Sequence, residues 1–486
     1  MPLRRLFLFL GLAAGLAAGA CQSDNTTTGP TDVKSPSFAK KSSGDGTARR
    51  PDLHTFDVST GLHLVVFKNS NRVPARLDQA VKAAGGSVET VYSEFGFATV
   101  SGLDDSGVAT LLAHRDVAYV ETDQLLQLEV PERIAPVALQ DAGIRSNDDP
   151  TTALLFGLQW DMRAIFADVA WAADKLGSRD VTVAILDTGL DYQNPDLSGR
   201  VDLSRSVSFI PADDALVDQF FPGTNYVTDL HFHGTNVGSV VATNAWAFAG
   251  VTSKTTLIGV KVCSVGGLCP TSAVLAGIIH AAENGADVIN MSLGGSFSKS
   301  MFPGFVSLIN RVTNYARKMG SLIVVSAGND ATDLDHNGNS FESYCDAPTV
   351  VCVSATAPTF AAFPIYENVD TPTGYTNFGR SAINVAAPGG DAVPGGDGWV
   401  YQLCSTTSLV IPICQQGFFV LGVAGTSQAA PHASGVAALI VDEIGSGRAA
   451  QVKAHLQQTA DDLGRPSTDP YFGKGRVNAA AAIGLD

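Results

Sequence analysis

The sequence predicts an α/β protein: a three-layer architecture around a mostly parallel central sheet, preceded by a small α+β domain. Three observations carry this reading. Short, continuously apolar runs at 181–186, 256–262, 288–291, 322–325, 350–353 and 383–386 are separated by stretches of helical period. Strands apolar on both faces belong to parallel sheets covered on both sides. Polar residues and glycines cluster where these runs end, which is where open parallel sheets build their sites. Upstream, residues 62–130 follow a different order, βαββαβ, the signature of a ferredoxin-like unit.

The elements follow in chain order. Arg4 and Arg5 precede the apolar run 6–20, too short for the ~20 residues of a membrane span and read as an export signal over 1–20. Leu16-Ala17-Ala18-Gly19-Ala20-Cys21 resembles the lipobox of bacterial lipoproteins. That resemblance implies a lipid on Cys21 and a membrane anchor; an ordinary secretory signal cut nearby is the alternative. Residues 21–60 are rich in Ser, Thr, Asp, Gly, Pro and Lys, a composition that buries no core and reads as a flexible tether. In the small domain, 61–130, strands are expected at 62–67, 88–92, 95–100 and 117–120. Its helices place Leu77, Ala80, Val81 and Ala84 on one face and Val108, Leu111 and Leu112 on another. Such a fold alone specifies no function. Residues 131–150, with many Asp and Asn, read as a loosely ordered linker open to maturation cleavage, and 151–486 as one large domain.

Composition narrows the function. There are 47 acidic against 31 basic residues, a net charge of −16, which argues against nucleic-acid binding because that needs basic surface. Of seven cysteines, setting Cys21 aside leaves six in an exported chain. Their short spacings favour the neighbour pairs Cys263–Cys269, Cys345–Cys352 and Cys404–Cys414. No Cys-x-x-Cys spacing is present and no histidine adjoins a pair, so a zinc site is disfavoured.

Four small stretches carry chemistry. The run 183–186 leads directly into Asp187-Thr188-Gly189, leaving a carboxylate at a buried strand end. His233-Gly234-Thr235 opens a helix of small residues, a fitting place for a general base. Ser326-Ala327-Gly328-Asn329 sets an amide at another strand end. Gly425-Thr426-Ser427 precedes an alanine-rich run, so Ser427 sits in the first turn of a buried helix, where N–H groups and the dipole favour developing negative charge. Each alone has an ordinary reading as a cap, a turn or a structural histidine. His231 and His233 could also form a His-x-His metal pair, with Asp229 the one nearby carboxylate.

In the order Asp187, His233, Asn329, Ser427, these pieces resemble the subtilisin-like serine proteases. The family patterns Asp-Thr-Gly, His-Gly-Thr, Ser-Leu-Gly-Gly, Ala-Gly-Asn and Gly-Thr-Ser-x-Ala-x-Pro-His recur at Asp187, His233, Ser292-Leu293-Gly294-Gly295, Asn329 and Ser427. The resemblance spans about 158–477 and implies a subtilisin-like fold in which Ser427 is the nucleophile, His233 the base, Asp187 its orienting acid and Asn329 the oxyanion donor. It further implies that Ser292, Leu293, Gly294 and Gly295 pair with substrate main chain and wall the pocket before the cut. The small domain is similar to the family's inhibitory propeptide, an intramolecular partner. Two departures, Asn236 for the usual second histidine and Gln428 for the usual methionine, fall outside the triad. No cofactor is needed for the chemistry. A structural calcium stays open: 244–250 lacks the usual calcium loop, and 333–338 begins like one but reaches Tyr344 at position twelve. The expected protein is a monomeric, exported serine endopeptidase acting on proteins or peptides and made as a self-inhibited precursor. A catalytically silent lipoprotein that binds peptides is the alternative.

Overall fold

The computed structural model describes residues 60–128, 135–138 (backbone only), 149–342 and 344–485. The export signal, Cys21 and most of the tether lie outside the described residues. Strands Leu62–Phe67, Ser87–Tyr92, Phe97–Ser101 and Val117–Thr122 form an antiparallel sheet in the order second, third, first, fourth. Two helices, Leu77–Ala83 and Asp105–Leu112, cover one face, the second opened by Asp104, whose carboxylate accepts the Gly107 N–H at 2.8 Å. Alternation along the first strand divides its work. Val65 and Phe67 pack under these helices with Val81, Val100 and Leu111. Leu64 and Val66 face the other way, into a core shared with the large domain.

The large domain is built on an eight-stranded sheet. Thr182–Asp187 lies near its centre, parallel to Thr256–Lys261 on one side and Val288–Met291 on the other, and Leu322–Ser326, Val351–Ala357 and Val385–Pro388 continue it in parallel. Thr371–Pro372 alone runs antiparallel within it. Every residue of Thr182–Asp187 is buried. Val183 and Ile185 pack against the face covered by helices His233–Val241 and Thr426–Ile444, and Ala184 and Leu186 against the face covered by Thr271–Glu283 and Pro303–Met319. This two-sided burial is why the strand reads as an unbroken apolar run. Cys263–Cys269, Cys345–Cys352 and Cys404–Cys414 are bonded.

The two domains meet through helix ends. Neither Pro303–Met319 nor Thr271–Glu283 has a side-chain cap of its own, so their first N–H groups need partners from elsewhere. The small domain supplies carboxylates, which the helix dipoles also favour. Glu121 accepts the Gly304 and Phe305 N–H groups, both at 2.7 Å. Asp123 accepts the Ser272 N–H at 2.8 Å and the hydroxyls of Thr271 and Ser272 at 2.6 Å. The chain then enters the large domain as strand Leu125–Gln127, antiparallel to Leu268–Pro270.

One expectation changes. The stretch taken as a loose linker contains a strand, Ala135–Ala138, antiparallel to Phe419–Val423 at the edge of a three-stranded sheet. Pro136 is tolerated because an edge strand need not donate on both sides.

Candidate active site

Asp187 ends its strand with a fully buried carboxylate. It accepts the Thr188 N–H at 2.7 Å and meets His233 Nδ1 at 2.8 and 2.9 Å through its two oxygens. The contact requires the histidine helix to begin almost on top of the strand end. Gly234 permits this: a Cβ there would lie 2.1 Å from the Gly189 carbonyl oxygen and 3.1 Å from Asp187 Cβ.

Asp229 fixes the approach of this helix. One of its oxygens accepts the Thr188 hydroxyl at 2.9 Å and the His231 N–H at 3.0 Å. The other accepts the Thr235 N–H at 2.9 Å and hydroxyl at 2.6 Å. The Thr188 oxygen in turn accepts the Gly234 N–H at 2.9 Å. Asp229 thus ties the strand-end loop to the first turn of the helix, a positioning role that the sequence reading missed. Burial works against a charged His233 imidazole, but the Asp187 carboxylate, its hydrogen bond and the more distant Asp229 outweigh burial and hold the group above its ordinary 6.5. His231 goes the opposite way. Burial, followed by His233, pushes it down to about 4, its Nδ1 accepts the His233 N–H at 3.3 Å, and its ring stacks on Phe232. A metal pair made by these two histidines finds no support in that arrangement.

Ser427 lies in the first turn of helix Thr426–Ile444. Pro431, four residues on, has no N–H to return to the Ser427 carbonyl. The Ser292 hydroxyl fills that vacancy, donating to the Ser427 carbonyl at 2.7 Å. Asn329 holds the same helix end through Oδ1, which accepts the Thr426 N–H and hydroxyl, both at 2.9 Å. Asn329 also lines the cleft beside Ser427. The Ser427 hydroxyl donates to the Ser292 carbonyl at 3.2 Å, not to His233. His233 Nε2 is buried with no hydrogen-bond partner among the described residues. The heads of the two helices are joined by the family departures themselves: Gln428 Nε2 donates to Asn236 Oδ1 at 3.3 Å.

Ser427 and Asn329 open on a cleft walled also by Ser292, Leu293, Gly294 and Gly295, which Gln127 and Leu128 line from the other part of the chain. The Leu128 N–H donates to the Gly267 carbonyl at 2.7 Å. All four wall residues named from sequence, 292–295, are therefore at the site.

Neither stretch considered for calcium fits it. Hard cations need convergent oxygen donors free to coordinate. The Asp196 carboxylate beside 244–250 instead accepts the N–H groups of Trp246, Ala247 and Phe248 at 2.6, 2.9 and 3.3 Å. Gln159 Oε1 accepts the Ala249 N–H at 2.8 Å. The loop turns amides inward where a cation would need oxygens. At 333–338, Asp335 accepts the Ser381 and Ala382 N–H groups and the Ser381 hydroxyl, and Asp333 pairs with His336 at 2.9 Å.

Residues 178–475 match the model of the subtilase family. Thermitase of Thermoactinomyces vulgaris is 29% identical over 67% of this chain and 95% of its own length. Halolysin of Haloferax mediterranei is 33% identical over 68% of this chain and 54% of its own. Among solved structures, the epidermin leader peptide processing serine protease of Staphylococcus aureus superposes with a TM-score of 0.66 at 21% identity, covering 87% of this chain and 97% of that one. With the family model matching more than half of the sequence, the chain belongs to the subtilase family.

Proposed function

We propose that this subtilase is an exported endopeptidase that cuts proteins or peptides through Asp187, His233 and Ser427, and that residues 61–130 inhibit it until the chain is cut. One observation carries the reading: Asp187 takes one nitrogen of His233, the other is buried with no hydrogen-bond partner among the described residues, and Ser427 lies in the first turn of the adjoining helix. In the reaction, Ser427 Oγ turns from the Ser292 carbonyl to His233 Nε2, gives up its proton there and bonds the substrate carbonyl carbon. Hydrogen bonds of this kind commonly tighten only when substrate is bound. Asn329 Nδ2 and the Ser427 N–H receive the oxyanion, and loss of one such donor typically lowers kcat about 10²- to 10³-fold. His233 then protonates the leaving amine, and water releases the acyl group by the reverse sequence.

The inhibitory role is supported by two strands near Ser427: Leu125–Gln127 leads to Leu128 in the cleft wall, and Ala135–Ala138 pairs with Phe419–Val423, the strand just before the Ser427 helix, so we place the cut between residues 128 and 135. Cys21 would carry a lipid anchor, and the enzyme would act as a monomer with no cofactor in the chemical step. No helix among the described residues is long and apolar enough to cross a membrane. Ser427→Ala tests the scheme: in a host lacking other proteases it should accumulate as a precursor that retains 61–130, while the native enzyme labels with a fluorophosphonate. Normal maturation of the variant would show that another enzyme makes the cut.

A further inference from the structure

His233 opens its helix, and the five residues before it, 228–232, belong to no helix or strand. Their carbonyls have no ladder partners, and all five residues are buried, so each carbonyl has to be met from elsewhere. The Asn236 N–H donates to the Phe232 carbonyl at 2.9 Å, and Lys261 Nζ donates to that of Thr228 at 2.5 Å. The three carbonyls between them all go to one loop, 404–414, whose ends are joined by the Cys404–Cys414 bond. The hydroxyls of Ser405 and Thr407 donate to the Asp229 carbonyl at 2.6 and 2.9 Å. The Leu409 N–H donates to the Leu230 carbonyl at 2.8 Å, and the Ser408 hydroxyl to the His231 carbonyl. Thr406 adds a tie through Asp191, which accepts its N–H and hydroxyl at 2.7 and 2.6 Å and donates its own N–H to the Thr235 hydroxyl at 3.0 Å. The bonded cysteines pack with Leu421 and Val423 against Phe232, next to His233.

We propose that the loop 404–414 positions the catalytic base: Ser405, Thr407 and Ser408 fix the row of carbonyls leading into His233, and the Cys404–Cys414 bond keeps those hydroxyls in place. The proposal rests on the endopeptidase reading above and adds positioning residues that act through the backbone of 229–231. Short hydroxyl side chains reach the carbonyls only while the loop is held against the segment, and covalent closure removes the open conformations that would part them. Asp229 ties the strand-end loop to the first turn of the histidine helix, so a shift of its backbone moves the imidazole relative to both Asp187 and Ser427. Misplacing a reacting group by about 1 Å costs up to about 10²-fold in rate. The effect also has a signature in pH. Burial lowers the His233 pKa, while Asp187, its hydrogen bond and Asp229 together raise it above the ordinary 6.5. The other titratable neighbour, His231, stands on the held segment with its ring 6.5 Å from that of His233. Neither the loop 404–414 nor the first turn of the nucleophile helix carries a charged residue. A loosened segment therefore weakens the contacts that hold the proton on His233, without removing any charge.

The experiment follows fluorophosphonate labelling of the mature enzyme, because that reaction needs Ser427 activated by His233 and no particular substrate side chain. The labelling rate is measured against pH, with a melting curve for each variant. Thr407→Val combined with Ser408→Ala, and separately Cys404→Ala combined with Cys414→Ala, should lower the rate at least about tenfold at temperatures where both remain folded. The acid limb of the rate should move to lower pH in the same variants. Thr407→Ser, which keeps the hydroxyl, should label like the wild type. A wild-type rate in either folded pair, or a slower rate with an unmoved acid limb, overturns the positioning role and leaves the endopeptidase reading standing. A wild type that does not label overturns both. Should the paired substitutions fail to fold, Ser408→Ala alone, which removes the hydroxyl donated to the His231 carbonyl, decides by the same two criteria.

Discussion

Replacing Asp229 with asparagine should destabilise the protein by about 2–4 kcal/mol and shift the acid limb of its pH–activity profile to lower pH. The stability figure follows from the donors. Each Asp229 oxygen faces one backbone N–H, from His231 at 3.0 Å and from Thr235 at 2.9 Å, and neither can turn away. An amide has one oxygen, so in either orientation its NH₂ meets one of these N–H groups. An unsatisfied buried donor costs about 1–3 kcal/mol, and the surviving bond loses the charge that strengthened it, roughly another 1 kcal/mol. The Thr188 and Thr235 hydroxyls can rotate and add little. The pH effect has a definite sign. His233 acts as a base only when neutral, and in the native enzyme Asp187, with help from Asp229, holds it above its ordinary 6.5. Removing the Asp229 charge lets the imidazole lose its proton at lower pH, so activity survives further into acid. Urea unfolding in a Ser427→Ala background, which prevents self-digestion, gives the first quantity; kcat/KM against pH gives the second. A change below about 0.5 kcal/mol, the range of ordinary surface substitutions, with an unmoved acid limb, would refute the reasoning.

Three further outcomes are expected. Chelation with EDTA should leave the melting temperature unchanged, because Asp196 and Gln159 give their oxygens to backbone N–H groups; a fall of several degrees would show that a cation is bound after all. Activity should survive peroxide that inactivates relatives bearing methionine after the nucleophile, and Gln428→Met should restore the sensitivity, since a sulfoxide would place a polar oxygen beside Ser427. Met291 is fully buried, so oxidation found there by mass spectrometry would expose a fault in the argument. If the cut falls where proposed, the mature chain should start within residues 129–135. N-terminal sequencing that finds a start outside that range would refute the placement.

What the sequence made legible and what it hid divide along a physical line. Asp187, His233, Asn329 and Ser427 stand at the ends of apolar runs or the heads of small-residue helices, and a parallel sheet brings such ends to one edge whatever the intervening loops do. The run at 383–386 was displaced because its strand, Val385–Pro388, takes its register from Val351–Ala357, not from its own pattern. Asp229 was read only as a possible metal ligand, since its role depends on Thr188 and Thr235 meeting across a loop. The strand Ala135–Ala138 was hidden by its proline and by the Asp- and Asn-rich residues that follow it.

While the chain is continuous, Gln127 and Leu128 line the cleft as the end of a tethered small domain, and a short tether corresponds to a local concentration in the millimolar range. A free peptide must exceed that level to compete, however good its fit. Once the backbone is severed, the same contacts are made by a separate molecule that loses translational and rotational freedom each time it binds. Occupancy then falls with dilution. If residues 61–130 inhibit as proposed, dilution alone would therefore weaken their hold without altering a single residue at the contact.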